Sequence, residues 1–184
     1  MNQLVRLVDD LLDISRIARG TLQLSRQRVL LSEVVECAVD SSREAIASKG
    51  HRLTVIPGDA RVAVEGDFHR LAQVVGNVLA NSARHTEPGG CISIEIAQEG
   101  SAAVIRVCDT GTGIPPEALE ANFDTFSQLR ADHAQSGGGL GVGLALVRSI
   151  VRLHGGAVAA HSTGAGAGSC FTVRFPLEGT TGWA

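Results

Sequence analysis

Apolar positions recur with two rhythms along this chain, and each rhythm predicts its own kind of element. In residues 2–19, Leu4, Leu7, Leu11, Ile14 and Ala18 follow alternating steps of three and four, a coiled-coil-like helical seam that Gly20 ends. Ser32 is placed to cap a second helix running to Ser48, with Val34, Val35, Ala38, Val39 and Ala45 inward. Asp67 caps a third, in which Leu71, Val74, Val75, Val78 and Leu79 form an apolar stripe. Val142–His154 reads as a fourth, stopped by Gly155-Gly156.

Period-two alternation marks the strands. Cys91–Gln98 and Ala102–Asp109 form a hairpin through Gly100, with Ile92, Ile94, Ile96, Ile105 and Val107 on one face. Short strands are expected at Val29–Leu31, and at Arg52–Ile56 and Arg61–Glu65 around a Pro57-Gly58-Asp59 turn. Two more follow near Ala157–Ser162 and Ser169–Phe175, the last with Phe171, Val173 and Phe175 on a shared face. Residues 115–141 have little periodicity beyond a small Phe123/Phe126 cluster, which suits a functional lid. Three helices on one face of a mixed, mostly antiparallel sheet make an α/β (α+β) two-layer sandwich, with the leading helix extra.

Composition narrows the class. A chain of 184 residues with 44% hydrophobic content can bury one good-sized core, and 3% aromatic content leaves the packing to aliphatic side chains. The formal net charge of −3 argues against a nucleic-acid partner. No apolar run is long enough to span a bilayer, and the N-terminus turns acidic too early for a signal peptide. Cys37, Cys91, Cys108 and Cys170 show neither zinc-site nor redox-pair spacing, so buried thiols and a cytoplasmic location are expected.

Three segments offer chemistry. Arg70, Gln73, Asn77, Asn81 and Arg84 form a polar stripe opposite the apolar one on the third helix. Asparagine is a poor helix former, but its amide oxygen can ligate a hard divalent cation that bridges phosphates. Taken alone, the stripe also fits a solvated helix face. Asp109 continues the parity of Ile105 and Val107, so its carboxylate points to the covered face and needs a donor there, such as an adenine amine. Gly111 and Gly113 allow the backbone a tight turn beside a planar ring; a strand-end turn cap is the plainer alternative. The glycine run 137–143 opens into the fourth helix, whose free N–H groups and dipole suit phosphate. A flexible linker would share that composition, but Leu140, Leu144 and Val147 are placed to pack.

In order and spacing these segments resemble the nucleotide-binding boxes of the histidine-kinase, gyrase and chaperone ATPase superfamily. They are most similar to the catalytic ATP-binding domain of sensor histidine kinases. The resemblance implies ATP and Mg²⁺ as cofactors. It implies that Asn81 coordinates Mg²⁺, that Arg84 stands where a phosphate-contacting lysine is usual, and that His85 stands where an aromatic packs near the nucleoside. Asp109, Gly111, Gly113 and Ile114 resemble the first glycine box. Asn122–Phe126 resembles the phenylalanine box, with Phe126 steadying the lid. Gly139, Leu140, Gly141, Val142, Gly143 and Leu144 resemble the second glycine box, and residues 164–171 the last, with Thr172 next to the nucleotide.

Asn77 decides the branch. Where gyrase-like relatives carry a water-activating glutamate, this chain has an amide that cannot act as a base, which favours phosphoryl transfer to a protein. The catalytic residues implied are Asn77, Asn81 and Arg84. The acceptor is expected outside the chain. The six histidines are followed by Arg52, Arg70, Thr86, Ala134, Gly155 and Ser162, never by an acidic residue. Residues 1–24 resemble the second helix of a dimerisation and phosphoacceptor hairpin, 25–178 the catalytic domain, and 179–184 a frayed tail. The implied partners are a phosphoacceptor-histidine helix, a response-regulator receiver domain and a second copy docking through helix 2–19. A stand-alone serine kinase of the anti-sigma-factor type and a non-catalytic ATP-gated module are the alternatives.

Overall fold

The long hairpin forms the centre of the molecule. The computed structural model describes residues 3–123 and 141–177, with side chains of the first helix from Val8 onward. The expectations for the side chains of Leu4 and Leu7, for Phe126, Gly139 and Leu140, for most of the lid and for residues 179–184 lie outside the described residues. The helices are α1 (Gln3–Ala18), α2 (Leu31–Ser48), α3 (Phe68–His85) and α4 (Gly143–Leu153). The strands are β1 (Gln27–Leu30), β2 (Arg52–Ile56), β3 (Ala63–Gly66), β4 (Cys91–Glu99), β5 (Ala102–Asp109), β6 (Ala157–His161) and β7 (Ser169–Pro176). Short 3-10 turns lie at Pro116–Ala118 and Ala121–Phe123.

Five strands form one sheet in the order β2-β4-β5-β7-β6. β2 runs parallel to β4 and every other pair is antiparallel. The alternation sorts the two faces. Ile92, Ile94, Ile96, Ile105, Val107, Phe171, Val173 and Phe175 share one core with Val74 and Val78 of α3 and Leu146, Val147 and Ile150 of α4. The other face is polar: Arg106 pairs with Glu95 at 3.3 Å and with Glu99, and Arg174 with Glu99 at 2.9 Å. One apolar face and one charged face allow one covering layer, so the expected two-layer sandwich is the fold.

Several local expectations are corrected. β3 begins at Ala63 and pairs with β1, not β2, in a separate two-stranded sheet. Ser32 does not cap α2. The helix starts two residues earlier, after an extended Leu30 in the cap position, and the Leu31 amide is satisfied across the chain by the Val62 carbonyl at 3.0 Å. Ala45 faces solvent, while Ser42 and Ile46, at helical spacing from Ala38, turn inward. The cysteines depart furthest from expectation. Cys108 and Cys170 are direct cross-strand partners and are disulfide-bonded, and Cys37 and Cys91 are exposed. Their separation of 62 residues hides in sequence a pairing that sheet register makes adjacent.

α1 meets the domain along a single stripe. Ile14 and Ile17 pack on the core, and Asp13, 7% exposed, forms an ion pair with Arg70 of α3. Gln73 donates to Asp13 Oδ2 at 3.1 Å and to Asp10 Oδ1 at 3.3 Å. Val8, Leu11 and Leu12 are left exposed. The predicted seam therefore divides: Ile14 faces the domain, and Leu11 and Ala18 face outward. Among the described residues no helix is long and apolar enough to cross a membrane.

Candidate functional site

Asp109 ends β5 with its carboxylate turned to the covered face, 8% exposed, as its parity requires. Its Oδ1 accepts from the amides of Gly111 at 3.0 Å and Ser169 at 3.3 Å, and its Oδ2 accepts from the Ser169 hydroxyl at 2.7 Å. A carboxylate offers about four lone-pair directions, so three donors satisfy most of its demand and leave room for one more.

The first glycine loop leaves Asp109 and crosses the end of α3. Thr112 N–H donates to the His85 carbonyl at 3.0 Å. A β-carbon at Gly111 would stand 2.3 Å from that carbonyl oxygen, so glycine is required by the close approach. Gly113, at φ +71°, would place one 2.0 Å from the Gly164 carbonyl oxygen. The half-buried Ile114 packs against the core.

α3 presents the polar stripe. Its start is fixed by Asp67, whose carboxylate accepts from the amides of Arg70 at 3.2 Å and Ser25 at 3.0 Å. Burial works to raise the Asp67 pKa, but these amide bonds outweigh it and hold the carboxyl below its ordinary value. At the other end, Lys49 Nζ donates to the carbonyls of Ala83 at 3.1 Å and Arg84 at 2.9 Å, placing a cation at the negative end of the helix dipole. Asn77, Asn81, Arg84 and His85 are half-buried. Burial lowers the pKa of Arg84, and burial, helped by the Arg84 charge, lowers that of His85 against the opposing pull of Asp109. His85 therefore presents a flat, neutral ring.

α4 begins after Gly141, at φ +69°, and its N-cap residue Val142, which provides no side-chain cap. Its first intrahelical bond runs from Leu146 N–H to Val142 C=O at 3.0 Å, so the amides of Gly143, Leu144 and Ala145 have no earlier helical partner. Asn77 Nδ2 lies 3.5 Å from the Gly143 carbonyl oxygen. The asparagine stripe and the opening of α4 are thus brought together, although 66 residues separate the two in sequence.

The family signature described as "Histidine kinase-, DNA gyrase B-, and HSP90-like ATPase" matches residues 66–179, which include Asp67, all of α3, the Asp109 corner and α4. The chain belongs to this ATPase family. Membership makes it an ATP-binding domain. Among similar proteins, the circadian input-output histidine kinase CikA of Synechococcus elongatus is 35% identical over 95% of this chain and 23% of its own length. BaeS of Escherichia coli, a signal transduction histidine-protein kinase, is 35% identical over 95% of this chain and 37% of its own length. The chain thus spans well under two thirds of these curated relatives. Among solved structures, the mycobacterial sensor histidine kinase MprB matches with a TM-score of 0.70 at 28% identity, over 83% of this chain and 97% of that one. Full-length ShkA in complex with AMPPNP matches with a TM-score of 0.81 at 26% identity, over 95% of this chain and 36% of that one.

The structure separates Thr172 from the Asp109 corner and brings two serines, Ser169 and Ser162, to it. Thr172 points away: it pairs with Arg106 and Ala159 and shares the open, polar face of the sheet with them. The residue of β7 beside Asp109 is Ser169. The signal was present in the sequence, because the alternation of Phe171, Val173 and Phe175 extended two residues back reaches Ser169 and skips Thr172. Ser162 is the second serine, and its hydroxyl lies between the two glycine loops. Phe123, of the predicted Phe123/Phe126 cluster, is buried edge-on against Phe171 and carries Arg148 over its ring at 5.1 Å. The first half of the polar stripe is also accounted for, since Arg70 and Gln73 serve α1.

Proposed function

We propose that this domain transfers the γ-phosphoryl group of ATP to a histidine located outside the chain, as the catalytic part of a two-component sensor kinase. The observation that carries this reading is Asn77. It occupies the stripe one turn before Asn81 and reaches the Gly143 carbonyl, where a water-activating base would need a carboxylate. An amide can hold a loop but cannot take a proton from water.

The remaining residues fit ATP. The free acceptor direction on Asp109 suits the adenine amine, and the neutral His85 ring suits packing near the nucleoside. The open amides of α4 and the Arg84 guanidinium suit the phosphates, with Gly139, Leu140 and Phe126 assigned beside them by resemblance. No group of three or more His, Cys, Asp or Glu among the described residues could hold a metal ion. That donor set fits Mg²⁺ carried largely by the nucleotide phosphates and water, with Asn81 as its protein ligand. The ion would neutralise phosphate charge.

α1 is read as the second helix of a dimerisation hairpin, with Val8, Leu11 and Leu12 available to a partner helix, and a response-regulator receiver domain as the final acceptor. The test is to mix the chain with radiolabelled ATP and a fragment carrying an acceptor histidine. Acid-labile label on the fragment is expected. Acid-stable label would assign a serine acceptor, and absence of label would overturn the kinase reading.

A further inference from the structure

The Ser162 hydroxyl follows β6 and is buried at 9% exposure. It accepts from the Ile114 amide at 3.0 Å and the Gly164 amide at 3.3 Å, and it donates to the Gly168 carbonyl at 2.7 Å, with the Gly164 carbonyl a second, longer acceptor at 3.3 Å. A hydroxyl has one proton and two lone pairs, so its full capacity is used. Its partners belong to two different segments. Ile114 closes the loop that leaves Asp109, and Gly168 immediately precedes Ser169. The same loops are joined by backbone bonds from Gly166 N–H to Thr112 C=O at 2.7 Å and from Gly168 N–H to Gly111 C=O at 3.1 Å. They are also in close backbone contact: a β-carbon at Gly113 would stand 2.0 Å from the Gly164 oxygen, and one at Gly168 2.0 Å from the Asp109 oxygen.

We propose that Ser162 is a positioning residue for the nucleotide base: its hydroxyl sets the spacing of the 111–114 and 164–168 loops, and with it the orientation of Asp109 and Ser169. This rests on the ATP-site reading. Removing the hydroxyl leaves two half-buried amides and the buried Gly168 carbonyl without this partner, where the two loops lie against each other. The cost falls on recognition of the base. The phosphate-binding opening of α4 belongs to another element and is spared.

The test compares wild type, Ser162→Ala and Ser162→Thr by calorimetry with Mg-ATP and with Mg-tripolyphosphate, which has no base. Hydrogen exchange at the Ile114 and Gly164 amides is followed without ligand. Ser162→Ala is expected to weaken ATP about tenfold, in line with losing one buried hydrogen-bonding group, and to leave tripolyphosphate unchanged. The Ile114 and Gly164 amides should exchange faster, and Ser162→Thr should restore both readouts. If Ser162→Ala unfolds, Ser162→Cys, with a weaker donor and acceptor of similar size, replaces it and should give a smaller shift of the same pattern. An unchanged ATP affinity, or an equal loss for ATP and tripolyphosphate, overturns the proposal. A wild-type protein that binds no ATP refutes the nucleotide reading instead, and the two amides then still report whether Ser162 braces the loops.

Discussion

The Ser169 hydroxyl donates to Asp109 Oδ2 at 2.7 Å across the β5–β7 pair, and the Ser169 amide reaches Oδ1 of the same carboxylate at 3.3 Å. Two strands that meet 60 residues apart in sequence thus hold one buried acceptor in a fixed orientation. A carboxylate held by several donors cannot swing to follow a misplaced ligand, so it selects for a donor at one position.

Asp109→Asn should weaken ATP binding by one to two orders of magnitude, roughly the worth of a hydrogen bond to a charged group. Ser169→Ala should cost less, about three- to tenfold, because the backbone amide of residue 169 still reaches the carboxylate. Calorimetric titration with Mg-ATP decides both, and undiminished binding in Asp109→Asn would remove the carboxylate from the site. Thr172→Val serves as the control. Its side chain lies on the opposite face, and ATP affinity should not change.

Steady-state hydrolysis of ATP by the chain alone should be very slow, and no histidine of the chain should become labelled. Asn77 supplies no base, and no histidine is followed by an acidic residue. A phosphate-release assay on the pure protein checks this. A brisk rate would place a base elsewhere in the site and return the chain to the gyrase-like branch.

His154 ties α4 to the start of α3. Its Nδ1–H donates to the Ile150 carbonyl at 2.8 Å, which leaves Nε2 unprotonated to accept the Asp67 amide at 3.0 Å. Burial lowers its pKa, against the smaller opposing effect of the Ile150 carbonyl. With the folded value below the unfolded one, the unfolded chain binds the proton first. The stabilisation is complete above about pH 6.5 and is lost as pH falls below it towards the lowered folded value. Denaturant midpoints should drop between pH 7.5 and pH 5.5, and the drop should be smaller in His154→Gln. His85, also lowered, contributes in the same direction.

Thiol counting without reductant should find the exposed Cys37 and Cys91 and miss Cys108 and Cys170. Mass spectrometry after maleimide labelling gives the count, and denaturation with reductant should raise it to four. Four reactive thiols in unreduced protein would refute the cross-strand bond.

Deleting residues 1–20 should leave ATP affinity within about twofold, because the ion pair and hydrogen bonds of α1 to α3 end on Arg70 and Gln73, ahead of Asn77. Calorimetry on the truncated chain tests this, and global unfolding would instead make Ile14 and Ile17 part of an indispensable core.

Much of this molecule is legible in its sequence because local rules and global packing agree. The Ile92/Ile94/Ile96 and Ile105/Val107 alternation gives both the hairpin and its buried face, and Asp67 announces α3 before its first apolar residue. What was missed depends on partners distant in sequence. Ser32 lost its capping role to a carbonyl from Val62, and the cysteine pair became adjacent only through the β5–β7 register. Ser162 carries no periodic signal, since its importance lies in backbone groups on two loops. The resemblance places Thr172 next to the nucleotide, whereas strand parity puts it on the face opposite Phe171 and Val173.

α3 serves two customers in series. Its first two turns hold α1 through Arg70 and Gln73, and its next turns carry Asn77 to the opening of α4, with Asn81 one turn beyond. Arg70 and Asn81 are eleven residues apart, about 16 Å of continuous helix. Over that span the helix behaves as a stiff crankshaft. A tilt of α3 set at the Asp13–Arg70 pair would therefore be carried along one rod past both asparagines and, through the bond from Thr112 to His85, to the loop that leaves Asp109.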